Sequence, residues 1–305
     1  MPAHGLRALT DRAVRLGIRT TVAVASQAAA FPGARAEIPV NESNREASLE
    51  KARQVYAKLP RVPVAYHIWT QLITSTVREG DVQASIPILG QDPGLVAKLL
   101  TYANSSVFTG MGEVADLHQA VMRLGTMETL RVVAALVFRD VTHDGLPFYG
   151  LTQEQFLALS LATGRIMARY AGQAGLRPPE GQSLGLLRGL GHWFLQQAYR
   201  DTRAEAPPPY SGPYLGAAVW EEEQFGVNHA EYGAHVLEQN GLPALLVEPL
   251  RLYLAPQEGP WLKPAALLRI ATARAAREVL PDRTPELPDL KPEMAALELT
   301  AEDFD

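Results

Sequence analysis

Apolar residues recur along the chain at helical spacing from about Ser48 to Leu280, and alternating strand patterns are not found. Asp92-Pro93 marks one start, a side-chain acceptor at the N-cap followed by proline at the first helical position. Leu95, Val96, Leu99, Leu100 and Ala103 form one stripe behind it. Thr152 and Gln155 have the spacing of a capping box, opening a helix through Phe156, Leu159 and Ile166. Asn228 and Glu231 repeat that spacing. Apolar blocks continue at 132–138, 184–195 and 245–254, and Gly125 is read as a break between two helices. Pro207-Pro208-Pro209 and Ser211-Gly212-Pro213 keep 201–214 from being helical throughout. Beyond Pro281 the chain is acidic and proline-spaced, with Thr300 able to cap a short helix over 301–304.

With 305 residues, 47% hydrophobic and 20% charged, the chain has material for a globular core. It has no run of eighteen apolar residues, so no membrane span is expected. Zero cysteines exclude disulfides, thiolate metal sites and cysteine nucleophiles. The net charge of -5 gives no broadly basic nucleic-acid surface. Charge is uneven: residues 1–36 carry five arginines against Asp11, whereas 278–305 carry nine acids against Arg283 and Lys291. Arginines ahead of the apolar run 20–31 have the order of an export signal, but Thr20, Thr21, Ser26 and Gln27 dilute it, and Phe31-Pro32-Gly33 ends any regular element. Residues 1–45 are therefore read as a leader of unknown structure in a cytoplasmic protein.

Candidate chemistry is sparse. Gly181-Gln182-Ser183-Leu184-Gly185 matches a nucleophile-elbow string, but Arg177-Pro178-Pro179 stands where a strand is needed, so Ser183 is read as helix packing. The seven histidines are scattered; His229 and His235, six apart, lie about 240° around a helix and cannot share a face. His143-Asp144 is placed in a surface loop. Glu221-Glu222-Glu223 has the chemistry to bind cations but is read as a solvated helix face, and Trp69, Trp193, Trp220 and Trp261 as core or rim anchors. Neither a Walker A loop nor a dinucleotide fingerprint occurs.

Six segments carry more. They are Leu59-Pro60-Arg61-Val62-Pro63, Asp92 to Leu100, Ala103-Asn104-Ser105-Ser106, Ala120 to Gly125, Phe225 to Ala234, and Gly241-Leu242-Pro243. In this order and spacing the chain resembles the HDOD family, the HD-related output domains of bacterial signalling proteins, over about residues 50–280. The resemblance implies an all-α, two-lobed helical bundle with an HD-domain-like C-terminal lobe. The expected divisions are a leader over 1–45, an HDOD-like domain over 46–280 with lobes meeting at about 147, and an acidic tail over 281–305.

The parent HD superfamily holds one or two metals whose bound water attacks a phosphate ester. Its His-Asp pair belongs in a Gly-Leu-Leu-His-Asp-Ile-Gly string, where this chain has Gly185-Leu186-Leu187-Arg188-Gly189-Leu190-Gly191. The upstream histidine would fall near Leu159 or Ser160 and a later one near Tyr253-Leu254; only His229 survives. Arg188 brings a positive charge to the place of a cation. The resemblance, so altered, implies a non-catalytic regulatory module with no cofactor, acting through contacts with other signalling proteins, and not a membrane or nucleic-acid protein. The candidate ligand or partner groove comprises Arg188, His192, His229 and Glu231. Two alternatives stay open. One is a metal-dependent phosphohydrolase of a nucleotide or cyclic dinucleotide. The other is a non-catalytic nucleotide or nucleic-acid binder with a phosphate patch at Arg123, Arg131, Arg165, Arg169 and Arg188. The 201–214 loop and the acidic tail are possible contact elements, each read as solvated or disordered.

Overall fold

Short polar caps and prolines set the helix starts as the sequence predicts. The computed structural model describes residues 51–52, 54–57, 64–80, 82–108, 112–200 and 207–304; the leader lies outside them. The N-terminal helices are α1 (Val64–Glu79), α2 (Ile86–Leu89), α3 (Pro93–Ala103) and α4 (Leu117–Val141). Asp92 accepts from the Gly94 and Leu95 N–H groups at the start of α3. Asp116 does the same for Gln119 at the start of α4. Gly125, at φ 70°, kinks α4 where the sequence predicts a break.

After a 3-10 turn (Pro147–Tyr149), the chain forms α5 (Gln153–Arg169), α6 (Pro178–Arg188), α7 (Leu190–Arg200), α8 (Ala217–Phe225), α9 (His229–Gln239), α10 (Ala244–Leu252) and α11 (Leu262–Val279). The Thr152–Gln155 capping box is formed in both directions. Among the described residues there is no strand, only one isolated bridge between Leu146 and Leu151.

The core begins with Trp69 of α1 edge-on to Phe138 of α4, at 5.1 Å between ring centroids, and Phe138 continues to Phe156 of α5 at 5.5 Å. The central helix α6 is buried from Glu180 to Arg188. Its polar side chains turn to local acceptors: Ser183 donates to Pro179 O at 2.7 Å, and Gln182 to Met127 O at 2.7 Å. Ser183 is thus a helix residue, as the missing strand implies. A Cβ on Gly185 would lie 2.5 Å from Gly164 Cα, so α5 and α6 meet backbone to backbone.

The acidic tail is ordered against this bundle, which corrects the expectation of disorder. It forms a 3-10 turn (Pro281–Arg283), α12 (Lys291–Ala296) and a final 3-10 turn (Ala301–Phe304). Leu290, Leu297 and Leu299 are buried, giving the segment an apolar anchor despite its charge. Arg283 donates to the carbonyls of Tyr149 at 2.6 Å, Gly212 at 3.1 Å and Tyr210 at 3.2 Å. The proline-rich loop is held by the same guanidinium. Pro207 and Tyr214 are buried at the two ends of 207–214, while Pro208, Pro209, Ser211 and Pro213 between them are exposed, in line with a solvated loop; 201–206 lie outside the described residues.

Candidate functional site

Two helix starts come together at the centre of the C-terminal half. Asn228 caps α9, accepting from the Ala230 and Glu231 N–H groups, so His229 stands at the first position of the helix. His192 lies in the first turn of α7. The two helices cross at glycines: a Cβ on Gly191 would lie 2.3 Å from His229 O, and one on Gly233 would lie 2.7 Å from Gly191 Cα. That approach stacks the His192 and His229 rings, with centroids 3.7 Å apart and planes at 18°.

Glu221 closes one side of the pair. It is fully buried on α8, contrary to the solvated face expected for the Glu221-Glu222-Glu223 run. Successive helical residues are turned by 100°, so Glu221 points inward, Glu222 is half-buried and Glu223 is exposed. Glu221 Oε2 lies 2.7 Å from His229 Nδ1 and accepts from the His229 backbone N–H at 2.8 Å. The other nitrogen, His229 Nε2, bonds the Tyr253 hydroxyl. Burial pushes the Tyr253 phenol up, so it remains a donor.

His192 is held neutral. Burial, the stacked His229 and the Arg188 guanidinium all depress its pKa well below the ordinary imidazole value. Its Nδ1 has no hydrogen-bond partner, and its Nε2 is 4.0 Å from Glu221 Oε1, itself without a partner. Tyr214 stacks on its far side and Tyr149 meets it edge-on at 4.8 Å. Burial and the Glu221 carboxylate push the Tyr149 phenol well above its ordinary value.

Arg188 ends α6 beside this group. It is 3% exposed and donates to the Tyr214 hydroxyl at 2.9 Å. No carboxylate among the described residues lies within ion-pair distance of it. Gly189, at the other altered position, follows α6 as its C-cap.

Of the four groove residues expected, Arg188, His192 and His229 line one hollow together with Tyr214 and Tyr253. Glu231 is elsewhere, 3.5 Å from Arg251, and Arg251 also reaches Glu238 at 3.1 Å. His235 likewise lies away from His229, edge-on to Tyr56. The arginines considered as a phosphate patch are separately engaged. Arg123 donates to Ala103 O, Arg131 pairs with Glu128, Arg165 pairs with Glu278, and Arg169 lies over the Tyr170 ring.

His192, Glu221 and His229 offer metal-type ligand atoms within 4.8 Å of one another. As arranged they do not fit a catalytic divalent ion. Both nitrogens of His229 are engaged, leaving only the His192 ring and one Glu221 oxygen free, beside a permanent guanidinium charge. A catalytic centre of this type needs three protein ligands and an open position. The sequence reading places Glu221 on a solvated face and gives Tyr149 and Tyr214 no role; small residues at Gly191 and Gly233, beside and after the histidines, are the available signal of a close crossing.

The HDOD domain model matches residues 59–256. The chain belongs to the HDOD family. The HDOD fold is shared with solved structures at low identity. A candidate phosphohydrolase from Shewanella amazonensis is 23% identical with a TM-score of 0.55, over 83% of this chain and 88% of that one. An HDOD domain protein of unknown function from Geobacter sulfurreducens is 20% identical at a TM-score of 0.53, over 85% and 96%. A candidate signal transduction protein from Marinobacter aquaeolei reaches 0.63 at 20% identity; this chain covers 63% of it, and 88% of this chain is matched. No protein with a curated function matches the chain. Among the described residues, no helix of this HDOD protein is long and apolar enough to cross a membrane.

Proposed function

We propose that this HDOD protein is a non-catalytic signalling module of the bacterial cytoplasm that acts through contacts with other proteins. The observation that carries the reading is the state of the altered HD position. Arg188 stands where the metal-binding pair would be, buried and bonded to Tyr214, while His229, the surviving ligand, has both nitrogens engaged. The neighbour from Marinobacter aquaeolei, named for signal transduction, is in keeping with it. The division into two lobes near residue 147 belongs to the same proposal. Val107 and Met122, 72% and 52% exposed, are its candidate contact residues on the N-terminal lobe.

Cross-linking of the full chain in native cells, repeated with Val107→Asp and Met122→Asp, tests the contact. Adducts lost in these variants, with helicity unchanged, support it; adducts unaffected by both place the contact elsewhere and remove these residues from it.

A second reading, metal-dependent phosphohydrolysis, is favoured by the His192–Glu221–His229 grouping. Elemental analysis of untagged protein after incubation with Mn²⁺, Fe²⁺ or Zn²⁺ separates the two. Only traces of metal are expected. A full equivalent, lost in His229→Ala, would overturn the non-catalytic reading.

A further inference from the structure

The hollow beside Arg188 has a charge character that neither a metal site nor an inert packing defect explains. Its volume is about 50 Å³, and its walls include Arg188, His192, Tyr214, Tyr253, Arg269 and Thr272. No carboxylate lines it. Arg269 is offset by Glu293 at 3.2 Å, whereas Arg188 bonds the Tyr214 hydroxyl and has no carboxylate within ion-pair distance among the described residues. A guanidinium is always charged, and a buried charge is costly without a counter-charge. The remaining polar walls include His229, which is paired with Glu221 at 2.7 Å. The Thr272 hydroxyl has no hydrogen-bond partner. The space exceeds what a single water needs.

We propose that this hollow is a binding site for a small tetrahedral oxyanion, a phosphate or the terminal phosphoryl group of a larger molecule. Its walls come from different stretches of chain: the α6–α7 junction, the turn before α8, the end of α10, and the middle of α11. Donors arriving from several directions suit a tetrahedral anion better than a planar carboxylate. Arg188 supplies the charge, so the residue that replaces a metal-binding pair attracts an anion directly. The site serves a non-catalytic module or an enzyme equally, so this proposal stands apart from the reading above.

Isothermal titration calorimetry on the full chain, in phosphate-free, low-chloride buffer, tests it with inorganic phosphate and, separately, a nucleoside monophosphate. One equivalent of at least one probe is expected to bind. Tighter phosphate binding identifies a free oxyanion, and tighter nucleotide binding a phosphoryl end. Arg188→Lys, which removes the guanidinium fork, is expected to weaken binding by about tenfold or more. Because Arg188 is buried, two milder variants decide the matter if that one fails to fold. Ala218→Leu fills the hollow from α8 and should abolish binding, and Thr272→Val should weaken it several-fold. Absence of saturable binding of both probes to the wild-type chain would overturn the proposal, as would binding that Ala218→Leu and Thr272→Val leave unchanged.

Discussion

Replacing Glu222 by glutamine isolates one half-buried carboxyl whose ionisation works against the fold. Burial raises its pKa from 4.5 to about 7, over the opposing hydrogen bond from the Asn228 amide at 2.7 Å, with Glu221 and Glu231 adding to the rise. A carboxyl with a raised folded-state pKa stabilises the native state below its unfolded pKa. That contribution is lost as pH climbs from about 4.5 through about 7. Glutamine keeps the acceptor for Asn228 and never ionises. Linkage therefore predicts that, between pH 5 and pH 8, the wild type loses on the order of 2–3 kcal/mol relative to Glu222→Gln. Urea unfolding of both proteins at the two pH values, with equal slopes, measures the difference. His192, depressed by burial, changes stability in the opposite sense, with loss as pH falls through 6.5 and below, but it is present in both proteins and cancels in the comparison. Equal stability differences at pH 5 and pH 8 would refute the argument, because they would mean that Glu222 titrates normally in the fold.

Gly191→Ala should cost at least about 3 kcal/mol in urea unfolding and disturb the near-ultraviolet circular dichroism of the aromatic cluster, since its Cβ meets main chain at 2.3 Å. Gly172→Ala, with nothing within 4 Å of its Cβ, should leave stability within about 1 kcal/mol of wild type or raise it. Asp92→Ala should cost about 1 kcal/mol through loss of the α3 cap, and Asp92→Asn should restore most of it. Arg283→Met should cost about 2 kcal/mol or more and hasten proteolytic cleavage in the proline-rich loop, because one guanidinium holds three carbonyls.

Local chemistry explains which features can be seen in the chain. Asp92, Thr152 and Asn228 act within three residues of themselves, so their helix starts are readable one by one. Gly125 is readable for the same reason. The partnership of His192 with His229 spans thirty-seven residues and depends on a helix crossing, which a single sequence does not specify. The acidic run misleads because three identical letters hide three orientations: a helix turns Glu221 into the core while Glu223 faces solvent. In the tail, composition obscures burial. Nine acids point to a solvated segment, yet Leu290, Leu297 and Leu299 at suitable intervals dock it. The family resemblance locates Arg188, Tyr253 and His229 at or near HD positions but is silent on Tyr214 and on the hydrogen bonds that Tyr214 and Tyr253 make to Arg188 and His229.

The crossing of α7 and α9 at Gly191 and Gly233 makes main-chain atoms the gauge that spaces the two imidazoles. A side-chain contact can loosen by a change of rotamer or yield to a neighbour of different volume; this one has no torsion to relax. Substitutions elsewhere in the core can therefore accumulate, shifting packing by small increments, while the separation of His192 and His229 stays fixed. Losing either glycine forces a whole helix to move, so the ring pair departs from its geometry in one step rather than by gradual drift.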